Sequence, residues 1–343
     1  MFAGVIEKLS RRQDLSADEA ARAMEQIMAG RASATQISGL LVGLAMKGER
    51  PGEIVGIALT MRAHAVKVPG RFAPLLDLCG TGGDRAGTFN ISSIAAVVAA
   101  STGARVAKHG NRAVSSACGS ADLFEALGVR TAASPETVAR CLDRAGIAFL
   151  FAPVFHPSMR HAAPVRRELG FRTAFNLLGP LTNPANPTHQ LVGVPRPELT
   201  ELVARSLLAL GSERAWVVHG ADGLDEISTT GYSKVSECRE GTVSTFYVHP
   251  TDFGLPVSAP AALAGGGVRA NADIAAAILE GARGPARDIV VLNAGAALFI
   301  AGRAASVRDG IVLAESAIDC GAAMGTLDNL VRLSQAGEGA DLQ

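Results

Sequence analysis

The stretch Asp77-Leu78-Cys79-Gly80-Thr81-Gly82-Gly83-Asp84-Arg85-Ala86-Gly87-Thr88-Phe89-Asn90-Ile91-Ser92-Ser93 decides how the rest of the chain is read. Its start belongs to an apolar run, Leu75 to Cys79, that reads as a buried strand. The Ala/Val-rich run from Ile94 reads as a helix. Between them lie Gly80, Gly82, Gly83 and Gly87. Glycines permit positive-φ turns and let backbone N–H groups come close to a ligand. A helix N-terminus directly behind such a loop adds unpaired N–H donors and the positive end of a dipole, which suits a phosphate. Ser92 or Ser93 is expected to cap that helix, and either hydroxyl can instead face a metal or a phosphate oxygen. The loop is not one of the commoner nucleotide loops. Arg85 stands where a dinucleotide fingerprint needs its third glycine, and Thr88 where a P-loop needs lysine. An ordinary glycine turn can join strand to helix, but four glycines, two hydroxyls and an acid together favour a phosphate site.

On the N-terminal side, residues 1–70 read as wholly helical. Phe2, Val5, Ile6 and Leu9 recur at helical spacing. Ser16-x-x-Glu19 and Ser33-x-x-Gln36 are capping-box patterns, Gly30 and Gly48 close the helices they open, and Pro51 precedes another that ends near His64. Ile37, Leu40, Leu41 and Leu44 make the third helix apolar over much of its surface. These side chains are either core or a subunit interface, and the interface is favoured because four helices alone bury little.

On the C-terminal side, strands and helices alternate. Val106-Ala107, Ile147–Phe151, Leu191–Val194 and Ala215–His219 read as strands, residues 235–248 as a hairpin around Glu240-Gly241, and Ile289–Leu292 as a further strand. Phe171 to Pro187 is irregular and reads as a crossover between domains. This pattern predicts an α/β fold: a small all-helical domain (1–70, joined by part of 165–190) and a large α/β domain (71–343) with a mainly parallel central sheet.

Composition narrows the function. The 343 residues are 48% hydrophobic and 19% charged, with 32 basic and 32 acidic side chains. A net charge of zero provides no overall field toward nucleic acid or membrane. Five scattered cysteines without a C-x-x-C read as reduced core thiols, no run reaches the length of a membrane span, and Glu7 with Arg11-Arg12 interrupts any signal-peptide core. A cytoplasmic protein is expected.

Three loops can converge at the carboxyl edge of such a sheet. The first is the glycine loop. The second, Lys108-His109-Gly110-Asn111-Arg112-Ala113-Val114-Ser115-Ser116 through Ser120, concentrates a cation, an amide, a guanidinium and three hydroxyls. The third carries Asp225-Glu226. Adjacent acids are usually solvated surface, but facing a polyphosphate they become hard oxygen ligands for Mg²⁺. His109 reads as a packing or hydrogen-bonding residue, and His156 as either a helix-entry residue or a substrate contact. Arg166, on a helix crowded with Arg160 and Arg167, is suited to a planar carboxylate. The site reads as one for a phosphorylated sugar and a small anion.

Taken together, Gly80-Thr-Gly-Gly-Asp84, Asn90-Ile-Ser-Ser93, Lys108 to Arg112 with Ser115-Ser116 and Gly119-Ser120, FRTAFNLLGPLTNP at 171–184 and Gly223-Leu-Asp-Glu-Ile-Ser228 resemble the anthranilate phosphoribosyltransferase family. The resemblance spans essentially the whole chain. It implies the nucleoside-phosphorylase-like fold, Mg²⁺, and a homodimer joined through the N-terminal helices. By position it implies that Gly80, Gly83, Asp84, Thr88, Asn90, Ile91, Ser92, Ser93, Lys108 to Ser116 and Ser120 hold phosphoribosyl pyrophosphate. Ser92, Asp225 and Glu226 would serve the metal, and Gly80, Asn111 and Arg166 would contact anthranilate. Ala117-Cys118 departs from a Lys-Ser-like pair in many relatives and removes a charge from the second loop. Two other readings share the fold. A pyrimidine nucleoside phosphorylase would bind free phosphate and leave Asp225-Glu226 little to do. A non-catalytic nucleic-acid-binding relative should be basic on one face, which the neutral charge balance opposes.

Overall fold

The computed structural model describes residues 1–84, 86–113 and 117–336. Four helices open it: α1 (Phe2–Ser10), α2 (Ala17–Met28), α3 (Ala34–Lys47) and α4 (Pro51–His64). Both capping boxes form. Ser16 Oγ accepts the Glu19 N–H at 3.1 Å and Glu19 Oε2 accepts the Ser16 N–H at 2.9 Å, with the same exchange between Ser33 and Gln36. Each box satisfies N–H groups that the first helical turn leaves without partners.

A seven-stranded sheet follows, in the order β3-β2-β1-β4-β5-β6-β7. Its strands are β1 (Leu76–Gly80), β2 (Val106–Gly110), β3 (Ile147–Phe151), β4 (His189–Gly193), β5 (Arg214–Gly220), β6 (Ser233–Arg239) and β7 (Thr242–Val248). The first five run parallel, and the hairpin β6–β7 closes the edge antiparallel. Between and after the strands come α5 (Ile91–Ser101), α6 (Ser120–Ala126), α7 (Pro135–Arg144), α8 (Ala152–Phe155), α9 (Ala163–Leu169), α10 (Leu178–Leu181), α11 (Leu199–Ala209), α12 (Val268–Leu279), α13 (Pro285–Ile300), α14 (Val307–Asp319) and α15 (Ala322–Gln335).

Two cores cover the two faces of the sheet. One collects α5, α13, α14 and α15 around Leu76, Leu78, Val106 and Trp216. The other joins α1–α4 to α11, to Val192, Val217 and Cys238, and to crossover residues Val165, Phe175, Leu177 and Leu181. The crossover is pinned to the sheet by polar groups. Asn183 Nδ2 donates to Asp77 Oδ2 at 2.9 Å and to the Ala107 carbonyl at 2.8 Å, and Gln190 Nε2 donates to the Pro180 carbonyl at 2.8 Å.

Three expectations from local pattern are corrected. Ile289–Leu292 is not a strand. Its β-branched run sits inside α13, which Pro285 opens and which neighbouring helices enclose, so an all-round apolar helix is the stable outcome. The cap of α5 is Asn90, so Ser92 and Ser93 fall in the first helical turn. Ile37, Leu40, Leu41 and Leu44 are buried within the chain itself, because the crossover and α11 supply the apolar surface that four helices lack. These leucines are core and are not available to a partner.

Leu41→Ala is therefore expected to cost ~2–5 kcal/mol, the range for truncating a buried leucine. Urea unfolding should show the lowered midpoint, and light scattering should show an unchanged oligomeric state.

Candidate active site

Strand order places the site. From β1 the chain moves one way, to β2 and β3, and later returns to β4 on β1's other side. Ligands in open α/β sheets bind at the carboxyl end of such a switch point. Gly80 ends β1 and Gly193 ends β4, and the two are register partners. Both must lack side chains. A Cβ on Gly80 would overlap the Asp225 carboxylate, and one on Gly193 would overlap the Asp225 main-chain carbonyl. The acidic turn is thus seated on two bare strand ends.

Asp225 and Glu226 are each 9% exposed. Asp225 Oδ2 accepts the Gly82 N–H at 2.7 Å, and Glu226 Oε1 accepts the Ser92 N–H at 3.1 Å. Asn293 on α13 fixes the turn from below. Its Oδ1 accepts the Ile227 N–H at 3.0 Å, and its Nδ2 donates to the Ile227 carbonyl at 2.9 Å. Burial first, then the nearby Asp84 carboxyl, pushes Asp225 up to about 7. Burial first, then Asp225, pushes Glu226 up to about 8. Charge on this pair is disfavoured by the protein alone.

The glycine loop is closed over by a distant strap. Thr88 bridges to Ala264, and the Gly265 N–H donates to the Gly87 carbonyl at 2.8 Å. Asn90 ties three segments together: its Oδ1 accepts Asn271 Nδ2 at 3.0 Å and its Nδ2 donates to the Cys118 carbonyl at 3.1 Å. Ile91 and Ser93 are buried under the start of α5.

In the second loop, Lys108 and His109 belong to β2. Lys108 is 2% exposed, and its Nζ donates to the Leu78 carbonyl at 2.6 Å, beneath the loop. His109 Nδ1 bonds the Gly179 carbonyl at 2.9 Å, and its ring lies 5.3 Å from that of His156. Burial pulls His109 down to about 3 and His156 down to about 4, so both imidazoles are neutral at pH 7. Gly110 ends β2 where a Cβ would overlap Ser120 Oγ. Asn111 Oδ1 accepts the Arg112 N–H at 2.8 Å, and its carbonyl accepts Ser120 Oγ at 3.3 Å. Arg112 pairs with Asp122 at 2.9 Å and Glu125 at 2.8 Å on α6, and the Ala113 N–H donates to Asp122 at 3.1 Å. Val114, Ser115 and Ser116 lie outside the described residues.

Arg166 projects from α9 over the Phe175 ring, 5.4 Å from its centroid. Among the described residues no carboxylate pairs with it, and burial pulls its guanidinium down from the usual value. A half-buried, unpaired guanidinium is a receptor for a carboxylate. Asn271 and Asn293 had no signal of their own in the sequence, and Arg172 stood only as one residue of the 171–184 motif, with no role assigned. They are identified by what they reach across the fold.

The acidic pair fits a divalent cation. Two buried carboxylates with raised pKa values supply hard oxygens, and a cation in their place reverses the local preference for protons. Among the described residues no three His, Cys, Asp or Glu side chains gather to hold a metal. The cation would take its other ligands from water and substrate phosphate.

Residues 3–65 match the helical bundle domain of the glycosyl transferase family, and residues 73–324 its a/b domain. The anthranilate phosphoribosyltransferase of Moorella thermoacetica is 54% identical over 96% of this chain and 98% of its own. The chain belongs to the anthranilate phosphoribosyltransferase family. Among solved members, that of Thermus thermophilus superposes with a TM-score of 0.91 at 44% identity, covering 97% of this chain and 99% of its own. The Saccharomyces cerevisiae anthranilate phosphoribosyltransferase in complex with PRPP and Mg superposes with a TM-score of 0.88 at 28% identity, covering 97% of each chain.

Raised carboxyl pKa values mean that the folded protein holds protons the unfolded chain has released. Their stabilising contribution is complete near pH 4 and is lost as pH rises through about 7 to 8. A divalent cation held by this pair would have to displace those protons. The rise in melting temperature on adding Mg²⁺ is expected to be larger at about pH 8.5 than at about pH 6. It should vanish in Asp225→Asn/Glu226→Gln, as differential scanning fluorimetry will show.

Proposed function

We propose that this chain transfers the 5-phosphoribosyl group of phosphoribosyl pyrophosphate to the amine of anthranilate, releasing pyrophosphate, a step of tryptophan biosynthesis. The carrying observation is the Asp225-Glu226 turn, buried against Gly80 and Gly193 and hydrogen-bonded to both ends of the glycine loop. Bound there, Mg²⁺ would neutralise pyrophosphate charge as the leaving group departs.

The chain's own residues then have separable roles. Gly83 offers its backbone N–H to the phosphates, with the positive end of the α5 dipole behind it, while the Gly82 and Ser92 N–H groups hold the acidic turn. Ser92, whose N–H donates to Glu226, would turn its hydroxyl to that cation. Asn111 and Ser120 shape the second loop. Arg166 pairs with the anthranilate carboxylate and orients the ring. The C1–O bond to pyrophosphate breaks as the C1–N bond forms, and the amine's surplus proton leaves to solvent. An aniline nitrogen is unprotonated near neutral pH, so positioning and electrostatics carry the catalysis and no covalent intermediate is required. The family assignment and the acidic turn both favour this reading over nucleoside phosphorolysis. A homodimer through the N-terminal helices is part of the proposal, supported by the exposure of Met1 just ahead of α1, Met46 on α3 and Leu59 on α4.

The decisive experiment follows anthranilate fluorescence with phosphoribosyl pyrophosphate and Mg²⁺. Consumption dependent on both is expected; phosphorolysis of thymidine or uridine without anthranilate turnover overturns the reading. Arg166→Ala should raise the KM for anthranilate about 10- to 150-fold, since a charged hydrogen bond contributes ~1.5–3 kcal/mol. Donor binding by calorimetry should stay nearly unchanged. Met46→Glu should shift light scattering toward monomer if the exposed helical face forms the dimer.

A further inference from the structure

Arg172 follows α9 in the crossover, and its side chain reaches ninety residues back along the chain to the glycine loop. Nη1 donates to the Gly82 carbonyl, and Nη2 to the Thr81 carbonyl at 3.4 Å. The guanidinium lies directly over Gly83, where a Cβ would overlap Nη1 and Cζ, and where φ is +79°. Asp225 and Asp84 both lie close enough to act on its charge, yet among the described residues it pairs with no carboxylate. Its fork is spent on main-chain oxygens.

That choice has a geometric result. In a trans peptide the C=O and the following N–H point to opposite sides of one plane. The Thr81–Gly82 peptide is gripped on both sides, its oxygen by Arg172 and its N–H by Asp225 at 2.7 Å. The next peptide has its Gly82 oxygen on Arg172, so the Gly83 N–H points away from the guanidinium. Among the described residues that N–H has no protein acceptor. It is held ready for an outside anion.

We propose that Arg172 is a positioning residue for the phosphoribosyl donor: by holding the Thr81 and Gly82 carbonyls it aims the Gly83 N–H at the donor's phosphates and keeps the loop aligned on Asp225. The inference rests on the function proposed above. It separates the two arginines of the crossover region: Arg166 serves the acceptor directly, and Arg172 serves the donor through the loop. It also explains why Gly83 must be glycine on steric grounds beyond its backbone angle.

The test is steady-state kinetics of Arg172→Met, which keeps the apolar stem and removes both donors. The KM for phosphoribosyl pyrophosphate at saturating Mg²⁺ is expected to rise about tenfold or more, ~1.4 kcal/mol. The KM for anthranilate should change less than about twofold, because uniform loss of a donor contact is felt by the donor alone. A purely architectural role would lower the melting temperature and the amount of active enzyme without this selectivity. An unchanged donor KM, or a rise confined to anthranilate, overturns the proposal. Gly83→Ala supplies a second arm, since the new methyl displaces the guanidinium in an enzyme that retains Arg172. It should show the same donor-selective rise, and Gly83→Ala/Arg172→Met should rise little further than either single variant, because both remove the same contact. Normal donor KM in Gly83→Ala also overturns the role. Absence of anthranilate turnover by the unaltered protein would instead remove the functional reading.

Discussion

The approach of Asp225 to two bare strand ends is the constraint on which the site depends. Gly80 and Gly193 face each other at the point where the sheet's connections diverge, and neither tolerates a side chain. The carboxylate therefore sinks into a space where burial penalises its charge. Backbone N–H groups from Gly82 and Ser92 and the clamp of Asn293 on Ile227 offset part of that cost. What remains is a pair of acids fixed in place and poor in positive charge, which is the electrostatic condition for taking up a hard cation along with its phosphate ligand.

The crossover connects this constraint to the helical layer. Phe175, Leu177 and Leu181 complete the core of α1–α4, while Asn183 holds the same segment to buried Asp77 on β1. The crossover, which holds only the short helix α10 and a 3-10 turn at Ala174–Asn176, is thereby locked at both ends. Rigid attachment sets two arginines six residues apart in different surroundings. Among the described residues Arg166 pairs with no carboxylate and lies over an aromatic ring, and Arg172 is bonded to the loop.

Much of the fold was legible because it depends on neighbours within a few residues. The capping boxes at Ser16 and Ser33, the hairpin turn at Glu240-Gly241, and the glycine loop between strand and helix all follow from local rules. Local rules failed where a segment is enclosed on all sides. Ile289–Leu292 has a strand's composition but lies in the middle of a buried helix. Leu40, Leu41 and Leu44 looked unburied because part of the core they join, Val165, Phe175 and Leu177 among it, stands more than a hundred positions away. Asn90, whose amide is bound by Asn271 and the Cys118 carbonyl, stands at the cap position in place of Ser92.

The amino-acid sequence by itself determined the helical and α/β parts, the loop chemistry and, through a set of motifs, the family. Those features are written in residue types and short spacings. Tertiary structure alone decided which atoms meet: Gly82 with Asp225 across 143 positions, Ser92 with Glu226 across 134, and Arg172 with Gly82 across 90. A spacing in sequence says nothing about contacts of that range. They exist because parallel strands deliver successive loops to one edge of the sheet, where burial then sets the charge each carboxyl can carry.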